Sequence, residues 1–253
     1  MTHSISTSRW LLGQVSEPAG ARPLFLVIPP GSEGPEAASG WLNRVPDVDV
    51  VVAQLPGRGR RLFENPLDDL DKVAEQLTAV FVDSVPDNWA VLGHCSGAYL
   101  AIELAHQLSG LGLPPVRVFL SSSRPPGPDP ERTQSANAIA AMADAELLAD
   151  LTAHQLVPAD IDPDIGTAVV RAHRAAVRAG SAYRWKHPAL NVPVEIWRGT
   201  ADDVVSRQHA GAWLTLAATN FEVIEFPGGR EFFTLPADTA IARVCRAFGA
   251  GSA

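Results

Sequence analysis

Short runs rich in Val, Ile, Leu and Phe recur along the chain, at residues 24–28, 48–55, 89–92, 116–120, 192–197 and 221–226. Most are apolar on both alternating sets of positions, which predicts buried, mostly parallel strands. Between them the period changes. Residues 67–82 carry apolar side chains at Leu67, Leu70, Val73, Ala74, Leu77 and Val80, and 98–108, 206–217 and 236–248 are also read as helices. Strand alternating with helix predicts one α/β domain with a doubly wound sheet. One segment interrupts the alternation: from about 125 to 187, a proline-stiffened stretch (RPPGPDP, 124–130) leads into helical patterns at 136–151 and 165–183. An insertion late in such a sheet is expected to lie as a lid over the C-terminal ends of the strands.

Composition narrows the chemistry. With 253 residues, 46% of them hydrophobic, the chain can bury a full core. Its formal charge of -8 and lack of a basic run argue against nucleic acid or an anionic membrane as partner. No membrane-length apolar run and no signal-like N-terminus is read, so a cytoplasmic protein is expected. The two cysteines, Cys95 and Cys245, imply free thiols rather than a disulfide framework.

The stretch VLGHCSGAY (91–99) carries the most specific signal. A strand, then Gly-x-x-x-Gly, then a helix is the setting of a nucleophile elbow, and the glycine frame selects Cys95 as the apex. Ser96, one place late, supplies the backbone amide that follows the nucleophile. A second oxyanion donor is expected from Gly31 or Ser32, in the IPPGS loop after the first core strand. His94 is read as a packing residue that points away from the pocket.

These features, together with LFLVIPP (24–30), QLPGRGRR (54–61) followed by Glu64, Asn65 and Pro66, SAYRW (181–185) and GTADDVV (199–205), resemble the type II thioesterases of polyketide and nonribosomal peptide synthesis. The resemblance covers nearly the whole chain. It implies an α/β-hydrolase fold, no cofactor, and a substrate held as a thioester on the phosphopantetheine arm of an acyl or peptidyl carrier protein; a monomer is expected. By the same resemblance Cys95 takes the place of the nucleophilic serine. Asp202 takes that of the triad acid, with Asp203 as the neighbouring alternative. The triad histidine belongs in a Gly-Gly-His-Phe-Phe context, and here that context reads FPGGREFF (226–233). Counted from the glycines the position is Arg230, and counted back from the phenylalanines it is Glu231.

The two departures fit together. A serine without a histidine is nearly inert, whereas a thiol near a helix N-terminus forms thiolate without a base. Water still needs a base to attack an acyl-cysteine, but a second thiol does not. Acyl transfer or cyclisation is therefore expected over hydrolysis. The alternatives are an editing hydrolase with a substitute base, Glu231 or the lid residue His173, and a non-catalytic binding protein. Arg58 in the QLPGRGRR run, and Arg171 and Arg174 at helical spacing, are candidate contacts to carrier or substrate, although a solvated arginine face is the commoner meaning of such clusters.

Overall fold

The computed structural model describes residues 8–16, 22–83, 85–154, 156–230 and 232–249. Strands β1 (Leu11–Gly13), β2 (Leu24–Ile28), β3 (Asp49–Ala53), β4 (Trp89–His94), β5 (Arg117–Ser121), β6 (Val194–Gly199) and β7 (Phe221–Phe226) form one sheet in the order β1-β3-β2-β4-β5-β6-β7. All pairings are parallel except β1 with β3. The helices are α1 (Leu70–Phe81), α2 (Gly97–Gly110), α3 (Pro130–Ala141), α4 (Asp144–Ala153), α5 (Pro163–Ala182), α6 (Arg207–Ala212) and α7 (Asp238–Ala247).

The continuous apolar runs are explained by the two cores they serve. In β2, Leu24, Leu26 and Ile28 face the cluster built with α1 and α2. Phe25 and Val27 face the opposite cluster with Trp41, Trp197, Ile241 and Val244. A strand covered on both faces has no position to give to water. Trp197 lies at the centre of the second cluster, in ring contact with Trp41, Phe119 and Phe226.

Two elements differ from the sequence reading. The edge strand β1 falls in a segment of three residues, too short to show a period. The helical pattern expected at 136–151 is two helices: α3 starts earlier, at the Asp129 cap and Pro130, and the chain breaks at Met142, whose φ and ψ are -61° and 146°. Together with α5, these helices form the whole insertion between β5 and β6. The corner is tied by Arg174 of α5, whose guanidinium donates to the carbonyls of Ile139 and Met142 and to Asp144.

Candidate active site

The crossover from β4 to α2 leaves Cys95 and Ser96 to make the turn. Cys95 takes φ 53°, a left-handed conformation that costs a non-glycine residue about 1–3 kcal/mol. The flanking glycines make it possible by close approach. A Cβ on Gly93 would lie 2.4 Å from the Gly97 carbonyl oxygen, and one on Gly97 only 2.5 Å from that of Pro29. The turn is held by the Cys95 amide donating to the Ser121 carbonyl at 2.9 Å and by Ala98 donating back to Cys95 at 3.1 Å. The half-buried thiol residue therefore sits at the N-terminal end of the 14-residue helix α2, where the helix dipole favours negative charge.

Of the two amides proposed beside Ser96 for an oxyanion, one is committed. Gly31 donates to the Ser96 hydroxyl at 2.9 Å. A hydroxyl at position 96 competes for that amide, so Gly31 is corrected from oxyanion donor to loop anchor. The amides of Ser32 and Ser96 have no hydrogen-bond acceptor among the described residues, and both residues line the cavity above Cys95.

Asp202 is 7% exposed. Its Oδ1 accepts from the amides of Val204 and Val205, each at 2.9 Å, while Oδ2 is buried with no partner. Asp203, the alternative, is exposed. A buried carboxylate oxygen that lacks a donor is costly. Arg230 lines the cavity with Cys95. Its Nε is likewise buried without a partner, and its charge is felt by His94 and Glu33. Glu231 lies outside the described residues.

His94 is buried, with Nδ1 2.8 Å from the Ser121 hydroxyl and its ring stacked on Phe233 at 4.1 Å. Burial, aided by the Arg230 charge, pushes its pKa well below the usual imidazole value. His173 of α5 lines the same cavity as Cys95, half-buried. Burial lowers its pKa too, with Arg58 and Arg174 acting in the same direction.

The cavity has a volume of about 570 Å³ and is mostly apolar, with Ile139, Ala136, Ala176, Val177 and Val204 among its walls. Sequence reasoning missed Tyr99, Ser122, Arg124 and Arg132, which also line it. Tyr99 donates to the Arg124 carbonyl and accepts from Arg132, and burial pushes its pKa up to about 12. Ser122 takes φ 41° and has a buried hydroxyl without a partner. It follows directly on β5, the strand paired with β4 beside the elbow. The signal available was the run Ser121-Ser122-Ser123 at the C-terminal end of a central strand, where parallel sheets place their sites. Arg58, Arg132 and Arg230 have no carboxylate within 4.0 Å among the described residues, in a protein of net charge -8. Arg132 and Arg230 line the Cys95 cavity together with Arg124, Glu131 and Asp203, whereas Arg58 lines a neighbouring one. Among the described residues no three His, Cys, Asp or Glu side chains cluster as metal ligands, and no helix is long and apolar enough to cross a membrane.

The arginines expected at the surface divide. Arg171 is exposed. Arg174 is corrected from a carrier contact to a tie within the insertion, because its donors are spent on Ile139, Met142 and Asp144. Arg58 and Arg61 are buried rather than solvated. Arg61 bonds Glu64 and the Gln54 carbonyl and lies 4.1 Å over Trp10, so much of the QLPGRGRR signature builds a turn. Arg58 donates to the carbonyls of Pro56 and, across to α5, Ala172.

A family model described as a thioesterase domain matches residues 22–249. The AMB antimetabolite synthetase AmbE of Pseudomonas aeruginosa is 31% identical over 241 residues, 93% of this chain; the chain spans only 11% of that synthetase's length. The gramicidin S biosynthesis protein GrsT of Aneurinibacillus migulanus is 25% identical, with 92% of this chain and 91% of GrsT covered. Among solved structures, the type II thioesterase BorB from the borrelidin biosynthetic cluster aligns with a TM-score of 0.80 at 25% identity, over 98% of this chain and 100% of BorB. The prodiginine-pathway thioesterase RedJ of Streptomyces coelicolor aligns with a TM-score of 0.72 at 27% identity, over 92% and 96%. The strained elbow, the parallel sheet that carries it and these matches lead to one conclusion: the chain belongs to the thioesterase domain family, on the α/β-hydrolase fold of the type II thioesterases.

Proposed function

We propose that this protein takes acyl groups from carrier-bound thioesters of polyketide or nonribosomal peptide synthesis onto Cys95 and passes them to a thiol or internal nucleophile in preference to water. The observation that carries this reading is the pairing of a thiol at a strained elbow with a buried triad-position carboxylate, Asp202, whose Oδ2 has no partner. The thiolate attacks the thioester carbonyl, the amides of Ser96 and Ser32 receive the developing oxyanion, and pantetheine thiolate leaves. The acyl-cysteine is then attacked by an acceptor thiolate, which needs no general base, and the cysteine thiolate is regenerated. Arg230 stabilises the anionic states but cannot take a proton. The helices between β5 and β6 act as the lid, and exposed Arg171 on α5 offers the carrier a positive contact.

A second reading has one observation in its favour. His173 lines the Cys95 cavity, and burial favours its neutral, proton-accepting form. With His173 as base, the protein is an editing hydrolase.

Intact mass spectrometry after incubation with acyl-pantetheine thioesters, free and on carrier, separates these readings. An adduct that needs Cys95, absent in Cys95→Ala, and that leaves to added pantetheine thiol faster than to water supports transfer. Rapid loss to water that disappears in His173→Ala supports the hydrolase. No adduct with any donor refutes both and leaves carrier or product binding as the function.

A further inference from the structure

The C-terminal end of α5 forms part of the roof over the elbow. Gly180 and Ser181 line the Cys95 cavity, and a Cβ on Gly180 would lie 3.5 Å from that of Ser96. What fixes this end lies outside the cavity. Tyr183, the residue that caps α5, is buried, stacks on Tyr99 of the cavity wall at 5.0 Å and donates its hydroxyl to Glu103 of α2 at 2.7 Å. Further along, His187 places Nε2 3.1 Å from the other oxygen of Glu103. One carboxylate, 1% exposed, thus holds both ends of the turn by which the chain leaves α5.

A structural tie alone gives no reason for this choice of partners, because a buried carboxylate is best met by a permanent cation. Lys186 adjoins His187 in the chain but is paired with Asp71 of α1, and Arg184 is turned to the carbonyls of Ser181 and Tyr183. Among the described residues Glu103 therefore meets a phenol and an imidazole, and only the imidazole can carry positive charge. A second imidazole faces the first. His106, one turn along α2 from Glu103, stacks on the His187 ring with centroids 4.0 Å apart, and Trp185 stands across both rings. Both histidines are half-buried, so protons reach them from solvent. One proton on the pair is matched by Glu103, whereas a second sets two like charges face to face. The acids at the start of α1 are already engaged, Asp71 with Lys186 and Asp69 with Lys72. Burial, and then the His187 charge, push the pKa of His106 below the usual imidazole value against the pull of Glu103.

We propose that Glu103, His187 and His106 form a proton-operated latch: with at most one proton on the imidazole pair it holds the end of α5 over the elbow, and a second proton releases the turn at 183–187 and widens the Cys95 cavity. The second proton goes to His106. Because its pKa is depressed in the folded chain, the hold is fully present above about pH 6.5, the unfolded value, and is lost as pH falls below it. Glu103 is a positioning residue here, acting through Tyr183. The latch requires only that the Cys95 thiol can be reached, not that it carries an acyl group.

Release is read as the relative rates at which a bulky and a small pyridyl disulfide label Cys95, a ratio from which the thiolate fraction cancels. These reagents react in mild acid, and peptide mass separates Cys95 from Cys245. In the full chain the bulky-to-small ratio is expected to rise about tenfold between about pH 7.5 and about pH 5.5, the worth of one charge-assisted bond broken across the imidazole range. His106→Asn leaves His187 on Glu103 but removes the second charge, and is expected to keep the ratio at its neutral-pH value throughout. Glu103→Gln is expected to raise the ratio at both ends of the range; if it does not fold, wild type against His106→Asn still decides. A wild-type ratio that is flat with pH, an acid rise that persists in His106→Asn, a folded Glu103→Gln with the wild-type profile, or a Cys95 that neither reagent labels in mild acid overturns the proposal.

Discussion

Substituting Arg230→His tests the proposal that an acyl-Cys95 forms and that the missing imidazole steers it away from water. The proposed acceptor for such a ring is Asp202, whose Oδ2 is buried without a donor while Oδ1 is already fixed by two amides at 2.9 Å. A charge-assisted bond to this oxygen contributes about 1.5–3 kcal/mol, so the variant should gain stability on that account. A positioned general base contributes about 10²–10⁴-fold to proton transfer, and hydrolysis of the Cys95 adduct should rise by at least about a hundredfold. The thiol acceptor, which brings its own thiolate, should gain far less. The assay follows adduct mass after donor is removed, in buffer and with pantetheine thiol, and compares the two decay rates. Arg230→Ala is the control for merely removing the charge near His94 and Glu33. The same logic extends to the nucleophile: Cys95→Ser should be inert alone and regain hydrolysis only together with Arg230→His. If Arg230→His folds, by its urea transition, and leaves the water-to-thiol ratio at the wild-type value, or if Arg230→Ala accelerates hydrolysis equally, the reasoning from the unpaired carboxylate is refuted.

The remaining predictions concern the elbow, the core and pH. Gly97→Ala places a methyl 2.5 and 2.6 Å from the Pro29 and Ile28 carbonyl oxygens; it should destabilise the fold and displace Cys95, read as a lower urea midpoint and slower acylation, and an unchanged midpoint would contradict the packing. Trp197→Ala empties a fully buried site ringed by Trp41, Phe119 and Phe226 and should cost about 3–5 kcal/mol in denaturant unfolding. His94 binds a proton less readily folded than unfolded, because burial and Arg230 depress its pKa. Its contribution is therefore fully present above about pH 6.5, the unfolded value, and is lost as pH falls below it. Urea midpoints of wild type at pH 7.5 and 5 should differ by more than those of His94→Asn, and equal differences would count against a neutral His94.

The central strands were legible in the sequence because burial on both faces leaves an unbroken apolar run, as in β2; the edge strand β7 also falls on the expected residues, although its glutamates Glu222 and Glu225 are exposed. The helix pattern at 136–151 misled, because apolar spacing continued through Met142 while the backbone turned there to let Arg174 reach the carbonyls. The arginines of QLPGRGRR misled in the other direction. Charge pattern suggests solvent, yet Arg58 and Arg61 are buried because carbonyls brought in by Pro56, Gln54 and α5 receive their N–H groups.

By itself the sequence determined the elbow, its cysteine, and the absence of a histidine from the Gly-Gly-x-x-Phe-Phe context, because these depend on residues adjacent in the chain and on the sterics of one tight turn. Only the tertiary structure decided that Ser96 captures the Gly31 amide, that one oxygen of Asp202 lacks a donor, that His173 faces the thiol's cavity, and that Glu103 holds both Tyr183 and His187. Each of these joins residues distant in sequence. Whether a polar group is met or left unmet depends on which groups the packed sheet and the helices above it bring within hydrogen-bond reach, and no local pattern records that.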